Sequence, residues 1–543
     1  MPKAIVIGAG FGGIASALRL RHKGYDVTLI DKQDKLGGRA YQYHRQTPLG
    51  TFVHDAGPTV ITAKFLFDEL FELFGKKRED YVEFRDVFPW YRIQFADKTQ
   101  FNYGGTTQQM EAEIAKISPP DVEGFRKYLL HSKRIFDVGF TELGAVPFHK
   151  FGTMLKCAPD LIKLQNYKTV WGMAEKYIQS DKLRRVFSFQ PLLVGGNPFN
   201  TTSIYSLIFY LEREWGVQFA MGGTGQIIRG FEKLMQEEGI TVRSSTEVKH
   251  IDISDGEPFF PNAIAPTFGY QTTHGYIDRI RCNNGEVIEC SSRDGDVVVA
   301  NADAPHVYTH LIDKKYHKGT APRRLAYTSK TSGLKYSMGL FVYYFGTNKQ
   351  YPEVAHHTIV LGKEYKGLID TLFEKRDIET DDLSVYIHRP TATDPTMAPS
   401  GCESFYVLVP VPNLQPRDKS LPQINSNIPQ TPDGLIDWKL YGDTFKQHVI
   451  DYLQRTILPG LRECLVDDFY VTPEHFATNL NTFNGSGFSI QPLFSQSAYF
   501  RFHNKAPGIE GLYFVGAATH PGAGMPGVLC SAKVLDHLVP VVK

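Results

Sequence analysis

The sequence predicts an α/β fold in which one parallel sheet draws strands from both ends of the chain. Three observations carry this. The stretch "IVIGAGFGGIASAL" (5–18) opens the chain with a strand, a glycine loop and a helix. A second small-residue loop running into a helix, "FVGAATHPGAGMPGVLCSAKVL" (514–535), closes it. Between them lie helix-dense and strand-dense stretches, and 543 residues are enough for two or three domains.

Taken in order, Ala4, Ile5, Val6 and Ile7 form a continuous apolar run, as a parallel strand covered on both faces requires. Gly8, Gly10 and Gly13 follow in the G-x-G-x-x-G spacing. Gly8 permits the tight turn, Gly10 lets backbone approach a pyrophosphate, and Gly13 lets the next helix pack closely on the strand. Ile14, Ala17, Leu18 and Leu20 supply the buried side of that helix, whose N-terminal amides face the phosphates. The strand "YDVTLID" then ends on Asp31, an acceptor for ribose hydroxyls that disfavours a 2′-phosphate. This is a Rossmann-like dinucleotide-binding unit; the bland alternative is a structural βαβ turn.

The motif alone does not separate NAD from FAD. The next stretch does: "KQDKLGGRAYQY" brings Gly37, Gly38 and Arg39 within eight residues of Asp31. It resembles the extended fingerprint of the flavin-binding amine-oxidase superfamily. The resemblance implies FAD, with Gly38 and Arg39 at its pyrophosphate, where a guanidinium offers fixed charge and planar donors. An exposed loop charge is the alternative for Arg39. In "VHDAGPTVI" (53–61), Asp55 and Gly57 are expected to make a turn before another apolar strand. In the superfamily this stretch passes near the flavin ring.

Further along, "GGTGQIIRGFEKLMQEEGITVRSSTEVKHIDI" (222–253) predicts a helix, a break at Gly239 and two short strands. The superfamily resemblance implies that the Val248 backbone meets adenine. "GDVVVANADAP" (295–305) predicts a returning strand of the same domain, and 254–275 a surface insertion or long hairpin. Residues 149–185 carry eight basic and three acidic residues in a chain whose net charge is +1. Phe151, Met154, Leu155, Leu161, Ile162 and Leu164 lie at near-helical spacings, with Pro159 expected to split the stretch into two helices. Lys150, Lys156 and Lys163 beside these apolar anchors suit an anionic membrane surface; a helical lid with its lysines in water is the equal alternative. "GGNPFNTTSIYSLIFYLEREWG" (195–216) predicts a helix capped near Thr201 or Thr202 and apolar almost all round until Glu212, hence buried or walling an apolar pocket.

Composition excludes several classes. Apolar content is 42% and charged content 22%, which excludes global disorder. Without a Lys/Arg tract or zinc-finger spacing, no nucleic-acid partner is expected. None of the six cysteines forms a C-x-x-C pair, so neither a disulfide framework nor a cysteine metal site is expected, and a reducing cytoplasm fits. His356 and His357 would alternate across a strand, so no metal is expected there. The uncharged run Gln190–Leu211 contains "GGNPFNTT", too costly in hydrocarbon for a transmembrane helix. Any membrane contact is expected at the surface.

Three long stretches narrow the reading. "LLVGGNPFNTTSIYSLIFYLEREWGVQFAMGGTGQI", "NGSGFSIQPLFSQSAYFRFHNK" and "LYFVGAATHPGAGMPGVLCSAK" resemble signature stretches of bacterial and fungal phytoene desaturases. With the N-terminal motif, the resemblance spans essentially the whole chain. It implies a Rossmann-like FAD-binding domain (1–90, 222–305 and 500–543), a helical lid or membrane-contact region (91–221) and a mixed-sheet substrate domain (306–499). The implied reaction is stepwise dehydrogenation of phytoene to lycopene or a related carotene, at a membrane surface on the cytoplasmic side, with quinone or oxygen as electron acceptor. In the C-terminal loop, Gly516 is expected where a side chain would collide with the cofactor, and Gly522, Gly524 and Gly527 allow close backbone passage. A helix from about Val528 points its N-terminus at the flavin end. His520 sits near the ring or serves the turn. Such a substrate offers no polar handle, so binding must come from apolar burial, at roughly 25 cal/mol per Å². No catalytic base is assigned: "KFGTMLK", where relatives carry an acid, has none. Phe502 stands where relatives have Pro. The alternatives are a sister desaturase, isomerase or ketolase on another polyene, a non-enzymatic isoprenoid carrier, and a soluble amine oxidase.

Overall fold

The computed structural model describes residues 1–258, 273–317, 333–417 and 427–542. Its first layer is a five-stranded, fully parallel sheet. The strand Lys3–Ile7 lies at its centre, flanked by Val297–Ala300 and Leu512–Phe514 on one side and by Asp26–Ile30 and Thr241–Arg243 on the other. The first strand shows why its apolar run is continuous. Ala4 and Val6 face a core shared with Ile14, Leu18 and Leu529, while Ile5 and Ile7 face a second core with Ile277 and Ile280. Both faces are therefore covered by packed side chains. The strand Val248–Pro258 pairs antiparallel with Thr273–Cys282 to form the long hairpin; residues 259–272 of the expected insertion lie outside the described residues.

The second layer is a seven-stranded mixed sheet in the order 465–471, 339–347, 403–411, 385–388, 357–360, 91–94, 100–103. Its strands run antiparallel except for 357–360 beside 91–94. The expected boundary at residue 91 cuts through this sheet: Tyr91–Gln94 and Gln100–Tyr103 are strands of it, and helices begin only at Thr107. Local pattern does not say which sheet a short strand joins, because pairing is set by distant partners. Alternate residues of Gly339–Thr347 divide again. Phe341, Tyr343 and Phe345 pack outward against the helix Trp438–Thr456, while Leu340, Val342 and Tyr344 face the helical region. It is this second face that borders the site.

Two helical expectations are corrected. Phe151–Lys163 is one helix with Pro159 inside it. Leu155 and Pro159 are both exposed, so the carbonyl that Pro159 cannot serve faces water and the helix continues. Thr202 does not cap the following helix through its side chain; its hydroxyl donates to the Asn166 carbonyl instead, and a short 3-10 turn, Ser203–Ser206, leads into Leu207–Trp215. Among the described residues no helix is long and apolar enough to cross a membrane.

Candidate active site

The two glycine loops meet in space. The Gly37 amide donates to the Ala9 carbonyl at 2.9 Å, and Gly10 and Gly37 form a parallel bridge. A Cβ on Gly13 would stand 1.9 Å from the Gly8 carbonyl oxygen, so the first helix reaches the first strand only because this residue has no side chain. Asp31 completes the turn. Its carboxylate accepts from the Ala9 amide at 2.6 Å and from the Gln33 amide at 2.7 Å. Burial pushes its pKa up, and these two donors oppose the shift.

The C-terminal loop arrives from the opposite side. Gly516 has φ +104°, a conformation reserved for glycine, and its amide donates to Ser531 Oγ at 2.8 Å. A side chain at Gly516, beside the cavity, would also meet Asn301 Oδ1 at 3.0 Å. The closing helix runs Met525–Lys533, starting three residues before Val528, and Gly527 packs within its first turn against the Gly522 carbonyl. Of the expected positions, Gly8, Gly10, Asp31, Gly38 and Arg39 line one cavity, as do Val248, Gly516, Gly527 and Val528. Gly13 lies behind it, at the strand–helix contact.

Arg39 is the decisive side chain here. Its Nε and Nη2 are sealed from solvent without a hydrogen-bond partner. Burial pulls the guanidinium pKa down, while the Asp303 carboxylate opposes this. Buried, unsatisfied donors are costly, and beside a glycine cradle they fit the oxygens of a pyrophosphate. The cavity encloses about 690 Å³ and continues from the cradle into an apolar chamber. Leu340, Val342, Tyr344 and Leu408 form its sheet wall; Leu207, Ile208 and Leu211 form its helical wall. Met154 and Leu161, from Phe151–Lys163, also face it.

Comparison with known proteins now places the chain. The profile of the flavin containing amine oxidoreductases matches residues 11–533. A lycopene-forming phytoene desaturase of Pseudescherichia vulneris is 40% identical over 539 residues, with 99% of each chain covered. A neurosporene-forming phytoene desaturase of Rhodobacter capsulatus is 36% identical, over 99% of this chain and 94% of that one. The chain belongs to the flavin containing amine oxidoreductases and, within them, to the phytoene desaturases. Among solved structures, putrescine oxidase bound to putrescine shares the fold with a TM-score of 0.56 at 12% identity, each chain covered to 98% or more. An oxidoreductase from Methanosarcina mazei shares it at 0.58 and 14%, over 98% and 100%.

The cofactor of this desaturase is FAD, and the residues present fit it: the cradle would take a pyrophosphate, the unpartnered Arg39 donors would pair with its oxygens, and Asp31 would lie at the ribose end. Where the cradle opens into the chamber, a polar cluster stands in the wall. Thr59 Oγ1 lies 2.8 Å from the Tyr406 hydroxyl and 3.2 Å from that of Tyr386. Tyr406 donates to the Gly57 carbonyl, and Gly57 in turn abuts the Arg39 carbonyl. Asp55 is not a turn residue. It ends the strand Gly50–Asp55, fully buried beside the start of the helix Thr224–Glu237, and takes a hydrogen bond from Gln42 Nε2. Burial raises its pKa to about 6. No strand follows it; Ile61 makes an isolated bridge to Gln218. His520 lines the cavity; a ring nitrogen lies 3.0 Å from the Leu143 carbonyl, tying the C-terminal loop to the helical region, and burial lowers its pKa to about 4. Phe502 packs in the core against Tyr308.

Sequence reasoning missed two groups. His356 precedes the strand His357–Val360, so alternation does not separate it from His357. The three rings of His356, His357 and His388 pack at centroid distances of 4.4–5.4 Å, their ligand atoms all within 4.8 Å of one another. Thr393 and Tyr386 hold one nitrogen each of His356 and His357. All three donors are neutral, and burial drives their pKa values down. A divalent ion here would bring uncompensated charge into a sealed core. The second missed group is Glu212, a buried carboxylate in the cavity wall. Its signal was legible in the spacing: of the two acids on the helix, Glu212 lies four residues after Ile208 and so on the same face, whereas Glu214 does not.

Proposed function

We infer that the protein is an FAD-dependent carotenoid desaturase that dehydrogenates phytoene stepwise toward lycopene. The observation that carries this is the continuity of one cavity: a dinucleotide cradle with an unsatisfied Arg39 opens into an apolar chamber long enough to draw its walls from both the mixed sheet and the helical region. The relatives that match nearly the full length of the chain are phytoene desaturases forming lycopene or neurosporene.

Bound FAD supplies the two-electron oxidation. The chain supplies everything else. Apolar walls bind the polyene by burial, align one C–H bond with the cradle and exclude water, so that position rather than polar recognition selects the reacting carbon. A carrier role would leave the Arg39 donors and the glycine cradle without purpose.

The site is also poised at a surface that suits a membrane. The helix Phe151–Lys163 turns Met154 and Leu161 to the cavity and leaves Phe151, Leu155 and Ile162 exposed at 50, 59 and 66%. Phe494 and Phe500 are exposed as well, and Phe151 packs on Tyr499 between them in sequence. Exposed apolar side chains interleaved with Lys150, Lys156 and Lys163 support docking on an anionic bilayer, from which the substrate enters. Quinone or oxygen then takes the electrons.

The test is direct. Protein loaded with FAD is incubated with phytoene in liposomes, with oxygen or quinone supplied. A conjugated chromophore that depends on FAD is expected; its absence defeats the reading, and a product of altered mass without longer conjugation favours an isomerase or ketolase.

A further inference from the structure

Desaturation removes two hydrogens from neighbouring carbons, and the second must leave as a proton. We propose that Glu212 is the group that accepts it. The inference rests on the desaturase reading above.

Three observations converge on this residue. First, among the described residues only three carboxylates line the cavity: Asp31, Glu247 and Glu212. Asp31 is tied to the glycine loop by two backbone amides, and Glu247 stands next to Val248 at the same end. Glu212 alone borders the apolar chamber, beside Leu211 and one turn from Ile208.

Second, its oxygens are held in place. The Tyr91 hydroxyl donates to Oε1 at 2.9 Å and the Tyr103 hydroxyl to Oε2 at 2.7 Å. Both tyrosines are fully buried. Their two strands in the mixed sheet therefore aim a carboxylate from the helical wall, and each oxygen keeps lone-pair capacity for a proton.

Third, the carboxylate is connected to the cradle. The Tyr91 ring lies 5.9 Å from that of His357, whose Nδ1 is 2.7 Å from the Tyr386 hydroxyl. Tyr386 reaches Thr59, two residues from the Gly57 that abuts Arg39. The wall from Glu212 to the cofactor end is thus continuous.

The electrostatics agree. Desolvation raises the Glu212 pKa to about 7, opposed by Tyr103, Tyr91, Arg213 and Gln190. Tyr128 is the other ionisable group coupled to it. A carboxyl poised near neutrality both takes a proton and releases it again before the next desaturation step. The balance is complete: one hydrogen leaves with its C–H electron pair for bound FAD, and the other leaves as a proton for a Glu212 oxygen. The electron pair of that second C–H bond becomes the new π bond.

The test uses FAD-loaded full-length protein with phytoene liposomes. Glu212→Gln is expected to keep its flavin content and lose desaturation by about 10²-fold or more, with Glu212→Asp partly active. In the parent, the rate should rise with pH through a limb near 7. Tyr103→Phe removes one donor to the carboxylate and should move that limb to higher pH, a shift that a purely structural role for Glu212 does not produce. Parental rates in flavin-loaded Glu212→Gln overturn the proposal. If that variant does not fold, an unmoved pH limb in active Tyr103→Phe overturns it. An inactive parent instead overturns the desaturase reading on which it rests.

Discussion

Arg39 enters the cavity with two guanidinium nitrogens that no protein group satisfies. Charge-assisted hydrogen bonds to phosphate are worth about 1.5–3 kcal/mol each, so Arg39→Ala, which removes two donors, should weaken FAD binding about a hundredfold or more while the fold persists. Flavin content after gel filtration checks this; equal retention would show that the orphaned donors serve something else. Glu212 makes a prediction about stability as well as rate. Its pKa rises on folding from an ordinary 4.5 to about 7. Between those values the folded chain holds a proton that the unfolded chain has released. Stability from this group is therefore full below pH 4.5, falls as pH rises, and is lost above 7, a change on the order of 3 kcal/mol. Glu212→Gln, which cannot ionise, should gain on the parent in thermal midpoint between pH 5 and pH 8. A gap that stays constant with pH would contradict the buried-carboxyl assignment.

The helix Phe151–Lys163 is the element on which chamber and surface meet. Reversing Lys150, Lys156 and Lys163 to Glu should cut co-sedimentation with anionic liposomes, at about 1 kcal/mol per lysine removed near the surface, and leave FAD binding intact. Unchanged co-sedimentation would make the helix a lid. What was legible at this scale follows from how local each signal is. The glycine loops, Asp31 and Arg39 are visible because turn, amide donors and charge lie within forty residues of one another. Other elements answer to partners far away in sequence. "HDAGP" has turn composition, yet Asp55 ends a strand because residues 42–47 pair with it. Gly339–Thr347 is apolar at nearly every position, so nothing in it says that Leu340, Val342 and Tyr344 meet a cavity while Phe341, Tyr343 and Phe345 meet a helix. Nor does Glu212, one of two acids on a mostly apolar helix, announce that two tyrosines from other strands hold it.

At the scale of the whole molecule, a parallel sheet assembled from both chain ends faces a mixed sheet, and one cavity runs from the cradle of the first to the inner face of the second. Because both termini contribute to the cradle, FAD binds only the folded chain. FAD at a hundredfold excess over its Kd should therefore stabilise the protein by about 2.7 kcal/mol, read as a raised melting temperature. A cofactor-independent melting temperature would separate the cradle from FAD. The continuity of the cavity is the central claim, since it requires flavin and polyene to meet inside one fold. Its most direct measurement is anaerobic mixing of the FAD-loaded protein with phytoene liposomes while flavin absorbance is followed and carotenes are extracted. Flavin bleaching matched by one new carbon–carbon double bond per flavin reduced is expected; an oxidised flavin beside unchanged phytoene would contradict it.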